Sequence, residues 1–419
     1  MTTEHGSASV VGVPPPGRTG AVWPDHVGVG GISRSAAAAS DDERSGIAAR
    51  DAVAAWDRRA ATFPYPAVLA HLRAVGRGAA SAALVDELRR LRPAPGTDTD
   101  PAVRRLGRWL RAATDQLDGD YHTYAVTDLH DDVLATSART ADLFVLAYLV
   151  DLLGVEASAL AAAPSPAQRR RTNAVVQAVH RAADVAPAAA SSAPDTTAPV
   201  RAIRSGAPDH AVASAALAVA TVPAELRDVV PLSLMPVTPL HDEQMFLRII
   251  QAFECVYRQV GWRLTAAAEA LADRDPARAV RLLTLVRGRF AATSALYRVL
   301  TTMPPESFAV VRRHTVGRSA VQSRSYRRIQ RAASGPGEPS VQEALRSNAS
   351  ALAAADRDAV VAAMRQVEAG WLAMKRTHWG ITVKTIGTAP GTGGTSGADY
   401  LRATLGQPLF PALADGGPA

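Results

Sequence analysis

A chain of 419 residues, 47% hydrophobic and 20% charged, has enough apolar material for one large core or two ordinary ones. Its net charge of +7 comes almost wholly from arginine, since lysine occurs only at Lys375 and Lys384. The arginines are dispersed among nearly as many acids and no nucleic-acid-binding module is present, which argues against a nucleic-acid partner.

Compartment and order come next. Cys255 is the single cysteine, so no intrachain disulfide can form, as expected of a reducing compartment. The opening Met1-Thr2-Thr3-Glu4-His5-Gly6 lacks the charged and apolar regions of a signal peptide, and the longest apolar run, Leu143 to Val150, is too short to span a bilayer. The expectation is a cytoplasmic, soluble protein with no membrane partner. Residues 1–42, rich in Gly, Ser, Ala and Pro with Pro14-Pro15-Pro16, read as a disordered arm. Residues 43–114 read as a helical extension: two patterns from Asp51 to about Arg92, broken at Phe63-Pro64-Tyr65-Pro66, then a loop from Pro93 to Pro101 and a helix from Val103 to about Leu117.

Tyr121 and Tyr124, in the run Asp120 to Leu129, are three residues apart and share a helix face. Residues 140–222 follow, with helical patterns over Thr140–Val155 and Ala167–Ala183, an Ala/Ser/Pro-rich flexible stretch over Ala186–Pro199, and a short helix over Ala211–Val222. From Pro239 the pattern strengthens. Phe246, Ile250, Phe253, Tyr257, Val260 and Leu264 step by four and three, giving an amphipathic helix through about Leu271, with His241 and Asp242 near its start in capping position. Pro276 to Met303 is a second long helix, and Met303-Pro304-Pro305-Glu306-Ser307-Phe308 and Ser319 to Arg327 lie beyond it. Ile329 to Pro339 reads as a polar loop, and Val341 to about Ala354 and Asp356 to Gly387 as helices.

In the last of these, Val360, Met364, Val367, Trp371, Met374, His378 and Ile381 share one face, so a histidine stands in an apolar stripe. Gly387 should end the helix and Pro390 prevents its return. Gly391-Thr392-Gly393-Gly394-Thr395-Ser396-Gly397 then offers backbone N–H groups and hydroxyls. It lacks the spacing of a phosphate-binding loop, so a nucleotide is not expected. A buried histidine before a donor-rich loop suits a cofactor metal on one side and an anionic group on the other. Pro411 to Ala419 reads as a frayed tail. No segment has a convincing strand period, so the fold class is all-α.

The run from His378 through Gly387, Gly391-Thr392-Gly393-Gly394-Thr395-Ser396-Gly397 to Tyr400-Leu401-Arg402 strongly resembles the C-terminal signature of the tryptophan 2,3-dioxygenase family, the haem-dependent aromatic oxygenases. Three further stretches resemble it: Tyr121-x-x-Tyr124, His241-Asp242-Glu243 with Phe246 and Gln251, and Met303 to Arg327. The resemblance implies a helical bundle of the tryptophan/indoleamine dioxygenase type enclosing haem b, one per subunit, over 115–139 and 223–410, with 140–222 inserted. The haem should lie between the His241–Leu271 and Asp356–Gly387 helices. Without a C-x-x-C-H motif it should be held without thioether links.

By the same resemblance His378 is the iron ligand and Gly393 lies at the cofactor. Thr392 and Arg327 hold the substrate's amino-acid end, and Tyr121, Tyr124 and Phe246 pack on its ring. His241 belongs to the catalytic set. The matching tyrosines of the family often serve a neighbouring subunit, and since its members are homotetramers the resemblance implies a homotetramer here. The family's distal histidine falls at Ile250, Val321 replaces a phenylalanine and Ser325 a glutamine. The expected function is opening of the indole C2–C3 bond of L-tryptophan by O2 to give N-formylkynurenine. A haem monooxygenase of tryptophan, tyrosine or a methylated analogue, and a non-enzymatic haem protein, are the alternatives.

Overall fold

The computed structural model describes residues 36–57, 62–93, 100–115, 120–134, 138–185, 224–315, 320–336, 339–392 and 395–414. Residues 1–41 and 42–419 form separate units, and of the first only the opening turns of α1 are described. A composition dominated by good helix formers gives helices throughout, and among the described residues there is no strand.

The N-terminal part holds α1 (Ala36–Ala54), α2 (Tyr65–Val75), α3 (Ala82–Arg90) and α4 (Pro101–Thr114), then the short α5 (Tyr121–Ala125) and α6 (Asp131–Leu134). Two long helices follow, α7 (Ala138–Ala162) and α8 (Pro166–Val185), then α9 (Ala224–Val229). The rest is α10 (His241–Ala272), α11 (Pro276–Leu300), α12 (Pro305–Arg312), α13 (Arg324–Ser334), α14 (Val341–Asn348), α15 (Ala354–Ile386), α16 (Ala398–Leu405) and α17 (Pro411–Ala414).

The main core forms around α10, which packs on α7, α11, α13 and α14, while α15 packs on α11. The stripe read from Val360 to Met374 is buried on α15, and Gly387, at φ 56°, ends that helix as expected. A second cluster gathers the N-terminal helices around Trp109, whose ring meets Phe63 and Tyr65 and whose indole N–H donates to Leu232 O.

Residues 140–185 are not an appendage. α7 and α8 contribute Phe144, Leu149, Leu152, Val175 and Val179 to the main core. α7 is long and apolar enough to cross a membrane by composition alone, but here it is a core helix whose acids pair inward. Asp142 meets Arg263 and Arg289 at 2.8 and 2.6 Å, Asp151 meets Arg248 at 2.6 Å, and Glu156 meets His241 at 3.1 Å. The calls on 186–222 lie outside the described residues.

Two boundaries differ from the sequence reading. α1 begins at Ala36, inside the stretch read as a disordered arm. Residues Ile329 to Ser334, read as loop, continue α13, because Tyr326, Ile329, Ala332 and Ala333 make an apolar face that the arginines between them obscure. At the C-terminus Glu368 accepts from the N–H groups of Leu409 and Phe410, so the chain is tied down before α17.

Candidate functional site

The cleft of interest, about 1130 Å³ and partly open to solvent, lies where α11 ends. α11 and α15 run parallel: Phe290 meets Trp371 at 5.6 Å, and seven residues later in both helices Tyr297 meets His378 at 5.6 Å. α11 therefore spaces α15 from α10 up to Leu300. Beyond that point the two long helices face one another across open space floored by Tyr297, Leu300 and Met303.

One wall is α10, with Phe246, Ile250, Phe253 and Tyr257 in the predicted four-and-three steps. α5 adds Tyr121 and Tyr124 from the same chain. This short helix is unusually well fixed. Asp120 caps it by accepting from His122 N at 2.9 Å. The buried guanidinium of Arg77 donates to the carbonyls of Ala112, Thr123 and Tyr124, and Gln251 Nε2 donates to Ala125 O at 2.8 Å. Tyr124 OH donates to Glu243 Oε1 at 3.0 Å, and Glu243 also accepts from Val237 N, Thr238 N and Thr238 Oγ1. With four donors the buried Glu243 is well satisfied as a carboxylate, and burial beside it raises the Tyr124 phenol well above its ordinary value.

Behind Tyr121 stands Glu254, also buried, with Ser323 and Ser325 as neighbours. Burial pushes its carboxyl up to about 7. Sequence reasoning missed this residue. Its signal was present: a lone acid two turns beyond Phe246 on the face that carries Ile250.

The other wall is the last part of α15, with His378, Ile381, Thr382 and Ile386. The His378 ring stacks on Tyr297 at 28° between planes, opens onto the cleft, and meets no hydrogen-bonding side chain among the described residues. Enclosure by protein pushes it down to about 4, so its imidazole is neutral near pH 7. A neutral imidazole with its ring nitrogens uncommitted is the form that binds a metal. Facing an apolar cleft, it could hold the iron of a macrocycle there.

The glycine loop closes the base of this wall. Gly391 N donates to Thr395 O at 2.9 Å and Thr395 Oγ1 to Thr392 O at 3.1 Å, and Gly391 and Thr392 both line the cleft. Gly397 sits at φ 65°, and a Cβ there would lie 2.6 Å from Ala389 O. Gly393 lies outside the described residues.

The structure thus brings Tyr121, Tyr124, Phe246, Ile250, His378 and Thr392 together. It does not bring in His241 or Arg327. His241 is held at the start of α10 by Glu156, and Asp242 pairs with Arg171, so neither caps the helix as read; both fasten it to α7 and α8. Arg327 is exposed on α13, one position round from the buried Tyr326. His122, the other nearby imidazole, is engaged by Thr127 at 2.7 Å and is not in the lining. Ile250, on the other wall of the same cleft, can neither donate nor accept a hydrogen bond.

No protein-family model matches the chain. Similar curated proteins are found. Over 226 residues, 41% of the chain and 85% of the relative, it is 26% identical to "Tryptophan 2,3-dioxygenase" of Anaeromyxobacter dehalogenans (strain 2CP-C). Over 235 residues it is 25% identical to the protein of that name from Erythrobacter litoralis (strain HTCC2594), covering 42% of the chain and 89% of the relative. Over 228 residues it is 28% identical to that of Nocardioides sp. (strain ATCC BAA-499 / JS614), covering 42% and 84%. More than half of the chain lies outside these matches.

Proposed function

We propose, from the chain's place as a divergent relative of the tryptophan 2,3-dioxygenases, that it is a haem-dependent oxygenase of an indole ring, and that its reaction is the opening of the C2–C3 bond of L-tryptophan by O2. The observation that carries this reading is the neutral His378 on one wall of an aromatic cleft whose other wall is Phe246, Ile250, Tyr121 and Tyr124. Haem b, when bound, would supply the iron chemistry that activates O2.

The chain supplies position. His378 would hold the iron, and Phe246 with the two tyrosines forms an aromatic wall for the substrate ring. Arg77, Gln251 and Glu243 keep that surface in one orientation, which is the part of catalysis a protein scaffold contributes most directly. Apolar side chains on both walls keep water from the reacting faces. As part of the same reading the protein acts in the cytoplasm as a homo-oligomer.

A second reading, monooxygenation of the same ring, is favoured by Ile250, since no distal donor is there to hydrogen-bond the oxidant or the indole N–H. Reconstituted protein given L-tryptophan and O2 separates the two by mass spectrometry. A gain of two oxygen atoms supports dioxygenation and a gain of one supports the second reading. An unchanged substrate, with methylated and hydroxylated analogues also unchanged, removes both.

A further inference from the structure

The two tyrosines that α5 presents to the cleft are each backed by a buried carboxyl of α10, and the two pairs are built differently. Tyr124 OH donates to Glu243 at 3.0 Å, and three further donors complete that carboxylate. Tyr121 OH neighbours Glu254, but neither the hydroxyl nor Glu254 Oε1 completes a hydrogen bond, although both are buried. One tyrosine is locked to its acid and the other is not.

Glu254 is 4% exposed, and among the described residues no cation pairs with it. Arg258, one turn further along α10, donates to Asp131 of α6 at 2.5 Å, and Arg324 at the start of α13 pairs with Asp128 at 2.6 Å. What surrounds the carboxyl is hydroxyl: Tyr121 from α5, Ser323 and Ser325 from the start of α13. Hydroxyls solvate a carboxylate in part but do not neutralise it, so burial favours the protonated acid. The other titratable neighbours keep one state near pH 7. Burial raises the Tyr121 and Tyr257 phenols well above their ordinary value and the Cys255 thiol up to about 12, and His378 across the cleft is pushed down to about 4.

Tyr121 both lines the cleft and neighbours Glu254, so one side chain separates the carboxyl from a space partly open to solvent. A ring that fills this space expels the water nearest that side chain. The ionised carboxyl then costs more to hold, and the neutral acid gains.

We infer that Glu254 is a proton site coupled to the cleft: it takes up a proton when an aromatic ring binds, and the Tyr121 hydroxyl is the contact between the two. This rests on the reading of the cleft given above. Linkage fixes the sign. The protonated form binds the ring more tightly, so affinity is level at low pH and falls as pH climbs through the carboxyl's range, by up to about tenfold per pH unit.

The test uses the full chain carrying ferrous haem, under argon, with 3-methylindole, a ring without a titrating group. Affinity is followed by the Soret shift across neutral pH, and proton uptake by calorimetry in two buffers of different ionisation enthalpy. Wild type should bind more weakly above pH 7 and take up part of a proton there. Glu254→Gln should show a level affinity and no uptake. Tyr121→Phe keeps the ring and removes one of the three hydroxyls that favour the carboxylate, so its fall in affinity should move to higher pH. Melting temperatures establish that both variants are folded.

The inference is overturned if Glu254→Gln keeps the wild-type slope and uptake, or if wild type binds the ring with neither. A Tyr121→Phe protein whose affinity falls at the wild-type pH overturns the contact through Tyr121. Wild-type protein that takes up no haem, or binds 3-methylindole by neither readout, removes the reading of the cleft and the inference with it. That result is distinct from a wild type that binds the ring without moving a proton.

Discussion

The two helices facing each other across the cleft are nearly equal in length, 32 and 33 residues, and are packed in opposite ways. α10 carries buried side chains along its whole length, from Glu243 to Leu271, because α7, α11, α13 and α14 pack around it. The fully buried side chains of α15 all lie before His378, from Val360 to Lys375. Beyond them Val383 is 43% exposed. One helix is a post set in the core, and the other is a post in its first half and a wall in its second. The change comes where α11 stops at Leu300. A cavity has been made by ending a spacer helix rather than by thinning side chains. Its histidine stands one turn past the last buried residues, close enough to the core to be kept neutral and far enough out to face a ligand.

The largest expected effect breaks the open half. His378→Ala should abolish a histidine-ligated Soret spectrum altogether, and a variant that keeps the wild-type spectrum would exclude this ligand. The same residue carries a pH signature. Its folded value, about 4, lies below the ordinary 6.5, so the unfolded chain binds the proton first as pH falls. The apoprotein should therefore lose stability between pH 6.5 and 4, and His378→Ala should lose less across that window. Parallel melting curves for the two proteins would show that the ring is not held neutral.

The next effect breaks the packed half and spares the cleft. Asp142 on α7 is the shared partner of Arg263 on α10 and Arg289 on α11. Asp142→Ala would leave two buried guanidiniums uncompensated, at a cost of about 3–5 kcal/mol. Denaturant unfolding measures it. The cleft residues are untouched, so haem uptake at low temperature should survive. A variant as stable as wild type would mean that α7 does not hold the post in place.

The same contrast explains what could be read from the sequence. Amphipathic helices announce themselves, and the α10 and α15 stripes, the stop at Gly387 and the gathering of Tyr121, Tyr124, Phe246, Ile250 and His378 all follow from apolar spacing or motif position. α7 was read as helix, but its place in the core was not, because it is apolar nearly all round and its three acids gave no hint of inward partners. Arg327 was placed in the site by its position within a motif. Side-chain direction depends instead on helix phase, and α13 spends its buried face on Tyr326, Ile329 and Ala333, which turns Arg327 outward.

A third test sharpens the boundary between post and wall. Glu254 lies on α10 just behind the cleft, with its carboxyl raised from 4.5 to about 7 by burial. A raised folded value stabilises below the unfolded value and is lost as pH climbs through the folded one. Relative to Glu254→Gln, wild type should thus weaken between pH 4.5 and 7, by about 3 kcal/mol at most, a contribution opposite in sign to that of His378. Glu254→Gln, neutral throughout, should not show that slope. Equal slopes in thermal melts of the two proteins would mean that the carboxyl is ionised within the fold.

The smallest effect concerns a cleft position where the chain departs from the family it resembles. Ile250, buried on the packed helix, lines the same cleft as His378. A histidine there could hydrogen-bond the indole N–H or a bound oxidant, and isoleucine fills the same space with hydrocarbon. A hydrogen bond to a charged or strongly polarised partner contributes roughly 1.5–3 kcal/mol, or about one to two decades in a rate. Ile250→His should therefore lengthen the lifetime of the oxygenated ferrous protein by that factor in stopped-flow absorbance with substrate present. The substitution brings a polar ring to an apolar wall, so a melting curve should accompany it. If the variant folds and both proteins decay at the same rate, position 250 does not govern that face. The packed wall would then act by shape alone, and the chemistry of the cleft would rest wholly on the open one.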